Sequence, residues 1–492
     1  MQIHRQSGMS LAEQIRQEFR DRIRSNLMTQ GTRLPSVREL SESLDVSLVT
    51  VVKAYALLER DGVVERIHGK GTYVRAKQEV AKPHPSVVER AFDWQLTLAD
   101  YLPRAAMLGH RRSVPSPTLP YQMSMASLHP SISGSMVPAH MLAHFQADDF
   151  VYEYGPVEGS ELLRRAIAND LEVAEIVCTA GDILVTNGVQ QAIDLVARSF
   201  IGPRDLVVME APTYPGAIDI FRARGANIVS IPLDAEGMRL DLLIKQCDRT
   251  PPKLVYTMPT FQNPTGSVMS AKRRAQLLEL AETYGFLILE DDSFSDCSYI
   301  ESIPTAIRGL DHNGHVVYVK GYSKLYMAGC RIAALVASGS VRNRLVAAKS
   351  VSDLGSPTVT QGLILAFLRN AGKNGYLRKV VRALKHKRDL ALGVLNREAP
   401  PGVTWTIPQG GLNIWMTLPD SINTDQLLIH ALQMGITFLP GSACHNHETV
   451  NNQLRISFSY LDDEALCEGV TRLCKLLTQY IGNSSGGSRP LV

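Results

Sequence analysis

The stretch Tyr318-Val-Lys-Gly-Tyr-Ser-Lys-Leu-Tyr-Met-Ala-Gly-Cys-Arg331 decides how this chain is read. The apolar run His315-Val-Val-Tyr-Val319 leads into it and has the composition of a buried strand. A second apolar run, Ile332-Ala-Ala-Leu-Val336, closes the unit. Between them stand Lys324, five residues after the first run, and Arg331, seven residues further, past Gly329. A lysine in a tight turn between buried strands is partly desolvated, which lowers its pKa and favours the neutral amine. A neutral amine condenses with aldehydes to form a Schiff base. A nearby arginine grips phosphate through two parallel hydrogen bonds. Together these residues suit a cofactor carrying an aldehyde and a phosphate, pyridoxal 5'-phosphate (PLP). Taken alone, they suit a surface lysine and arginine on a loop equally well.

The flanking sequence alternates short apolar runs with amphipathic helical ones. Ile183–Thr186, Leu206–Met209, Ile228–Ile231, Leu254–Thr257, Leu287–Glu290 and Val316–Val319 read as strands, and stretches such as Lys272–Tyr284 read as the helices between them. That alternation predicts an α/β fold with a mainly parallel sheet covered on both faces. Ligands of such sheets bind at the carboxyl ends of strands. There Thr186-Asn-Gly188-Val189-Gln190 opens a helix whose N-terminus suits phosphate. Tyr214 follows the next strand and offers a ring for stacking. Asn263, in Gln262-Asn-Pro-Thr-Gly266, offers an amide donor to a ring oxygen. Asp291, in Glu290-Asp-Asp292, suits a protonated pyridine nitrogen. Arg455, in Leu454-Arg-Ile-Ser-Phe458, is an arginine inside an apolar strand and needs an anionic partner, such as a substrate carboxylate. Each has a bland alternative: a common Asn-Pro turn, a core tyrosine, a helix-capping aspartate.

The order of these clusters resembles the fold-type I aminotransferases. Tyr154-Gly-Pro-Val-Glu-Gly159, Pro408-Gln-Gly-Gly411 and Leu439-Pro-Gly-Ser442 match as well, so the resemblance spans about residues 145–475. It implies the PLP-dependent transferase fold with a small C-terminal α+β subdomain. It implies that Lys324 forms the Schiff base with PLP, that Asp291 pairs with the pyridine nitrogen, and that Asn263 bonds the ring oxygen. Tyr214 would stack on the ring, Gln190 with its helix N-terminus and Arg331 would hold the phosphate, and Gly188, Val189 and Ser323 would also line the cofactor. Tyr154 would come from the partner subunit of a head-to-tail homodimer, and Arg455 would take an amino-acid carboxylate. Three positions depart from the family. Gly321 stands where Ser or Thr bonds phosphate, Val189 where Ser or Ala is common, and Phe294 where a Tyr bonds the ring oxygen. At roughly 0.5–1.5 kcal/mol per lost hydrogen bond, cofactor holding is expected to weaken by roughly one to three decades.

The first segment is different. Leu11, Ile15, Phe19, Ile23 and Leu27 recur every fourth residue, giving one helix face that ends before Gly31. Ser36 with Glu39 forms a capping box for a second helix, and Ser47 caps a third. Val63–Ile67 and Thr72–Val74 then read as a hairpin around His68-Gly-Lys-Gly71. Three helices and a hairpin describe a winged helix-turn-helix, whose third helix enters the major groove by its N-terminal residues. Leu34-Pro-Ser-Val-Arg-Glu-Leu40, Val46-Ser47, Thr50-Val51, Ala54-Tyr55, Leu57-Leu-Glu59 and Gly69-Lys-Gly-Thr-Tyr-Val74 resemble the GntR-type bacterial regulators. That resemblance implies DNA contact by Arg38, Ser47, Thr50, His68, Gly69 and Lys70. The family usually has arginine after Ser47; this chain has Leu48.

Residues 77–120 gather Pro83, Pro85, Pro103, Pro115, Pro117 and Pro120 around an apolar island, Ala91–Leu98, and a basic cluster, His110-Arg-Arg112. They read as a linker. The expected division is therefore 1–76 for DNA binding, 77–120 for the linker, 121–480 for the PLP domain and 481–492 for a flexible tail. Within the PLP domain the large part covers about 145–370 and the small part about 371–480. The net charge is +3, and residues 1–76 supply all of it. Seven cysteines without a C-x-x-C pair argue against a disulfide framework and a zinc site. No apolar run approaches a membrane span and the opening MQIHRQSGMS lacks a signal-peptide core, so a cytoplasmic protein is expected. A GntR-type head joined to an aminotransferase-like domain resembles the MocR-type transcriptional regulators. By that resemblance the partners are an operator duplex, a second subunit and a small amino-containing effector whose amine displaces Lys324, or PLP itself as the signal. A working amino-acid aminotransferase with an appended DNA-binding domain is the alternative.

Overall fold

The computed structural model describes residues 10–24, 28, 31–67, 70–75, 119–133, 154–446 and 450–485. Most of the expected linker, including its apolar island and basic cluster, lies outside them, as do His68 and Gly69. The chain divides into two compact units, Met1–Asp100 and Tyr101–Val492.

In the first unit, α1 (Leu11–Arg24) buries Ile15 and Phe19 against α3 (Leu48–Arg60), with Phe19 meeting Tyr55 edge-on at 5.9 Å. The helix α2 (Val37–Leu44) begins at the expected capping box: Glu39 N–H donates to Ser36 Oγ at 3.3 Å and Ser36 N–H donates to Glu39 Oε2 at 2.8 Å. Asp45, in the left-handed region at φ 50°, ends α2 and turns the chain. Tyr55 is buried but its hydroxyl reaches Pro35 O at 2.8 Å, so the core gains a ring without stranding a donor. The strands β1 (Val64–Ile67) and β2 (Gly71–Val74) pair antiparallel from Val64↔Val74 to Ile67↔Gly71 and form the wing.

The second unit starts with β3 (Tyr121–Gln122), followed by α4 (Glu161–Val173), β4 (Ile183–Thr186) and α5 (Val189–Phe200). Next come β5 (Leu206–Ala211), β6 (Asn227–Asp234), β7 (Gly237–Met238), β8 (Leu254–Thr257), α6 (Ala271–Tyr284), β9 (Leu287–Asp292), β10 (Val316–Gly321) and β11 (Ala333–Val336). They build one sheet in the order β4-β11-β10-β9-β8-β5-β6-β7. The pairs from β10 through β6 are parallel, as expected. By contrast β11 runs antiparallel to both β10 and β4. A parallel return needs a crossover of a dozen or more residues, usually an α-helix, and the Lys324 loop holds only the three-residue 3-10 helix Ala328–Cys330. Alternate residues feed opposite cores: Val207, Tyr256, Leu289 and Val317 join one, while Val208, Val255, Ile288 and Val316 join the other. Burial on both faces explains why these strands read as continuous apolar runs.

The C-terminal part adds α7 (Lys373–Glu398), β12 (Thr404–Trp405), β13 (Asn413–Thr417), β14 (Ile436–Thr437), β15 (Leu439–Pro440), β16 (Gln453–Ser457) and α8 (Asp463–Ser485). A second sheet, β12-β13-β16-β15, is antiparallel throughout. The strand β3 pairs with β14, and Ser457 N–H donates to Met123 O at 2.6 Å, so residues 121–123 sit with the C-terminal part although they precede the large one in sequence. The expected tail from 481 begins as helix, because α8 continues through Ser485. No described helix is long and apolar enough to cross a membrane.

Candidate PLP site and DNA-binding surface

A cavity of about 310 Å³ opens at the strand ends of the large sheet, and Lys324, Asp291, Asn263, Tyr214, Arg331 and Arg455 all line it. Lys324 follows β10 by three residues, and its Nζ donates to Ala126 O at 2.9 Å. Its loop is fixed from outside. Tyr326 donates to Asp296 at 2.7 Å and meets Phe367 edge-on at 4.9 Å, while Tyr376 of α7 donates to Leu325 O at 3.2 Å. Burial pushes the Lys324 amine down to about 8, and the positive charges of Arg455 and Arg331 push the same way.

Asp291, near the end of β9, accepts from Ser293 Oγ at 2.6 Å and from the Tyr256 hydroxyl at 2.8 Å. Burial pushes its carboxyl up to about 6 against those two hydrogen bonds. A neighbouring cation, such as a protonated pyridine nitrogen, would return it to the ionised form. Asn263 Oδ1 accepts from Arg455 Nη1 at 2.9 Å, which orients the amide and leaves its Nδ2 as the donor for a ligand. Arg455 is buried on β16; its Nη2 donates to Ser124 O at 2.9 Å and its Nε has no partner among the described residues. No acidic side chain among the described residues pairs with it.

The other end of the cavity is built for an anion. Gly188, at φ 86°, is the N-cap of α5, and no side chain caps that helix. A Cβ at Gly188 would lie 2.7 Å from Arg331 Nη2, so glycine leaves the space in which the guanidinium sits. Tyr214 is half-buried, donates to Gln190 Oε1 at 2.7 Å, and is pushed up to about 12 by burial. Ser323 is buried, lines the same cavity, and its Oγ has no partner among the described residues. An open helix N-terminus, an arginine and an orphaned hydroxyl at one end, a carboxylate with two oriented donors at the other, and an amine held below its ordinary pKa together fit PLP.

Of the three departures, two are spatially linked. A Cβ at Gly321 would stand 3.0 Å from Val189 Cγ2, so the valine methyl occupies the margin where a Ser or Thr side chain would begin. Phe294 is buried against the cavity and brings no hydroxyl. Accordingly, Gly321→Ser alone is expected to leave PLP affinity unchanged or weaker, because overpacking offsets the new hydrogen bond. Gly321→Ser with Val189→Ala is expected to tighten it by about tenfold, within the range of one charge-assisted hydrogen bond. Titrating the apoprotein with PLP checks both.

Tyr154 is 97% exposed and does not line the cavity of its own chain. In the first unit, Ser47 Oγ and Thr50 Oγ1 bond each other at 2.7 Å, and Thr50 N–H donates to Ser47 Oγ at 3.2 Å, so both hydroxyls serve the α3 cap. Arg38 and Lys70 are exposed. Sequence reasoning missed Ser124, Ala126, Tyr256 and Ser293. A tyrosine inside the apolar run Leu254–Thr257 was a signal, since a buried phenol needs an acceptor. Ala126 gave none, standing 198 residues from Lys324.

Residues 132–473 match the family described as Aminotransferase class I and II. The chain belongs to that family. Residues 11–74 match the gntR family of bacterial regulatory proteins. The aminotransferase part is 37% identical over 333 residues to aromatic-amino-acid aminotransferase 1 of Thermococcus litoralis, covering 66% of this chain and 80% of that protein. The uncharacterized HTH-type transcriptional regulator YisV of Bacillus subtilis is 28% identical over 460 residues and covers 93% of both chains. Among solved structures, the alpha-aminoadipate aminotransferase LysN of Thermus thermophilus, complexed with N-(5'-phosphopyridoxyl)-L-leucine, superposes with a TM-score of 0.71 at 30% identity, over 79% of this chain and 99% of that one. The aminotransferase domain of this chain thus takes PLP, and the gntR-family domain ahead of it is consistent with a DNA-binding regulator built as a MocR-type fusion.

Two further carboxylates near the sheet ends are fully enclosed. Burial pushes Glu210 and Glu290 each up to about 7, against hydrogen bonds from Thr257 and Gln262 to Glu210, and from the Ile307 and Arg308 backbone N–H groups to Glu290. Their folded values lie above their unfolded ones. The stabilisation they contribute is therefore complete below the ordinary glutamate range and is lost as pH rises through about 7. The stability of the apoprotein is expected to fall as pH rises from about 4.5 to about 7.5, by on the order of 3 kcal/mol per carboxylate, and its melting temperature falls with it. Thermal melts across that range check it.

Proposed function

We propose that this regulator senses a small amine in the PLP cavity and converts its presence into a change in DNA binding. The observation carrying this reading is Lys324, whose amine is pushed down by burial to about 8 in a cavity that fits PLP, within a chain that also carries a gntR-family domain. Bound PLP supplies an aldehyde that condenses reversibly with primary amines. Asp291, Asn263 and Tyr214 would orient the ring, Gly188, Val189, Gln190, Ser323 and Arg331 would border its phosphate, and Arg455 would receive an effector carboxylate. Tyr154 would complete the site of a partner subunit in a homodimer; its exposure supports that use.

An effector amine that took the place of Lys324 on the aldehyde would leave the lysine free to donate to the Ala126 carbonyl, the acceptor its Nζ meets at 2.9 Å. Ala126 lies on the segment that begins at β3 and that directly follows the linker in the chain. The state of Lys324 therefore bears on the point where the linker joins the PLP domain. An effector acts through its unequal affinity for the two arrangements. The proposed setting is the bacterial cytoplasm, and the partner is an operator duplex contacted by Arg38 and Lys70 at phosphates, with Ser47, Thr50, His68 and Gly69 close to the duplex.

Amines and amino acids are to be screened for a change in the absorption of the bound cofactor, and each positive compound then tested for its effect on binding to DNA from upstream of the chain's own coding region. Compounds that alter the absorption and also shift DNA affinity support the reading; an unchanged DNA affinity for all of them sinks it. Retention of Lys324, Asp291 and Arg455 favours a second reading, an aminotransferase with turnover. Multiple cycles of amino-group transfer to a keto acid would establish it, and Phe294 in the cavity wall opposes it.

A further inference from the structure

The start of α3 exposes an apolar surface. Leu48, Val49 and Val52 are 49%, 75% and 44% exposed, while Val51, Ala54, Tyr55 and Leu58 on the opposite side form the core of the unit. Leu48 and Val52 are four residues apart and Val49 and Val52 three, so the three side chains share one side of the helix. No residue from Leu48 to Val52 is ionisable. The hydroxyls beside them, Ser47 and Thr50, are engaged with each other and with the helix cap. This end of α3 therefore has apolar surface to offer a partner and little hydrogen-bonding capacity.

A winged helix-turn-helix places these N-terminal residues against base edges in the major groove. Guanine, cytosine and adenine present hydrogen-bonding groups there, and thymine adds a 5-methyl group, the apolar feature of that edge. We infer that α3 reads thymine methyl groups through Leu48, Val49 and Val52, with phosphate contacts left to Arg38 and Lys70. This rests on the DNA-binding reading and adds the chemical class of base recognised.

The test uses the full chain. Bound duplexes are selected from a random-sequence pool, and the best one is remade with deoxyuridine in place of thymidine, which removes the methyl and leaves the hydrogen-bonding edge unchanged. The expected result is enrichment of T·A pairs and about a fourfold weaker Kd for each contacted methyl removed, the value of burying one such group. Val49→Ala, at an exposed position, is expected to bind the thymidine and deoxyuridine duplexes more equally. Equal binding of the two duplexes by the unaltered chain overturns the inference. So does enrichment of G·C pairs whose binding depends on guanine N7. A change of oligomeric state in Val49→Lys, with sequence preference intact, would assign the face to a second copy of the chain and overturn it as well. If no duplex is enriched at all, the DNA-binding reading falls and takes this inference with it.

Discussion

Replacing Lys324 by alanine is expected to abolish covalent attachment of PLP and, with it, any response of DNA binding to amines. DNA binding in the absence of effector should persist, because α1, α2, α3 and the wing have a core of their own. The pH dependence of attachment tests the same group without a substitution. An amine titrating near 8 is about one quarter neutral at pH 7.5, against about one part in a thousand for an ordinary lysine. The rate at which PLP attaches to the apoprotein should therefore climb from pH 6 to 8 and level off above. Stopped-flow absorbance on the unaltered chain and on Lys324→Ala makes the comparison, with Lys324→Arg as a variant that keeps the charge and cannot condense. A rate still rising steeply above pH 9, or an undiminished cofactor band in Lys324→Ala, would falsify the assignment.

The second large effect is expected at Arg455. Its guanidinium is held in place by Asn263 Oδ1 and Ser124 O, its Nε has no partner among the described residues, and burial lowers its pKa with no described carboxylate paired to offset the cost. Such a group is costly unless an anion completes it. Arg455→Ala should weaken the response to α-amino carboxylates by about 10²–10³-fold, the scale for truncating one partner of a buried charged pair. Amines lacking a carboxylate should be affected much less. Arg455→Lys, which keeps the charge and loses the planar fork, should recover part of the difference. A purely structural role, acting by freeing the Asn263 amide, would weaken PLP and every amine alike. Measuring PLP affinity and effector response on the same variant separates the two.

The three departures in the cavity bear on what the site is for. Phe294 offers no hydroxyl to the ring oxygen, which leaves Asn263 as the donor suited to that atom, fixed in turn by Arg455. The packing of Val189 on the Gly321 position shows that the two phosphate-end departures form one compact change, which no single substitution reverses cleanly. On the proposed reading, a cavity that keeps Lys324 and Asp291 but lacks hydroxyls at Gly321, Val189 and Phe294 suits reversible exchange and reporting.

Much of this was legible in the chain before any tertiary structure. The capping box at Ser36 and Glu39, the Ser47 cap and the apolar strand runs are encoded within three or four residues, and each forms where its spacing placed it. The ligand clusters sit at strand ends because buried parallel strands announce themselves as continuous apolar runs, and Lys324, Asp291, Asn263, Arg331 and Arg455 do meet in one cavity. What the tertiary structure alone decided are relations between distant residues. Ala126 comes to Lys324 and Ser124 to Arg455 across 198 and 331 residues, through the pairing of β3 with β14 and the Ser457–Met123 bond. No local periodicity encodes such a meeting, because it depends on how the whole chain closes. The same holds for Val189 on Gly321 and for hydroxyls of α3 spent on their own cap: sequence names the groups, while packing decides which remain free for a ligand.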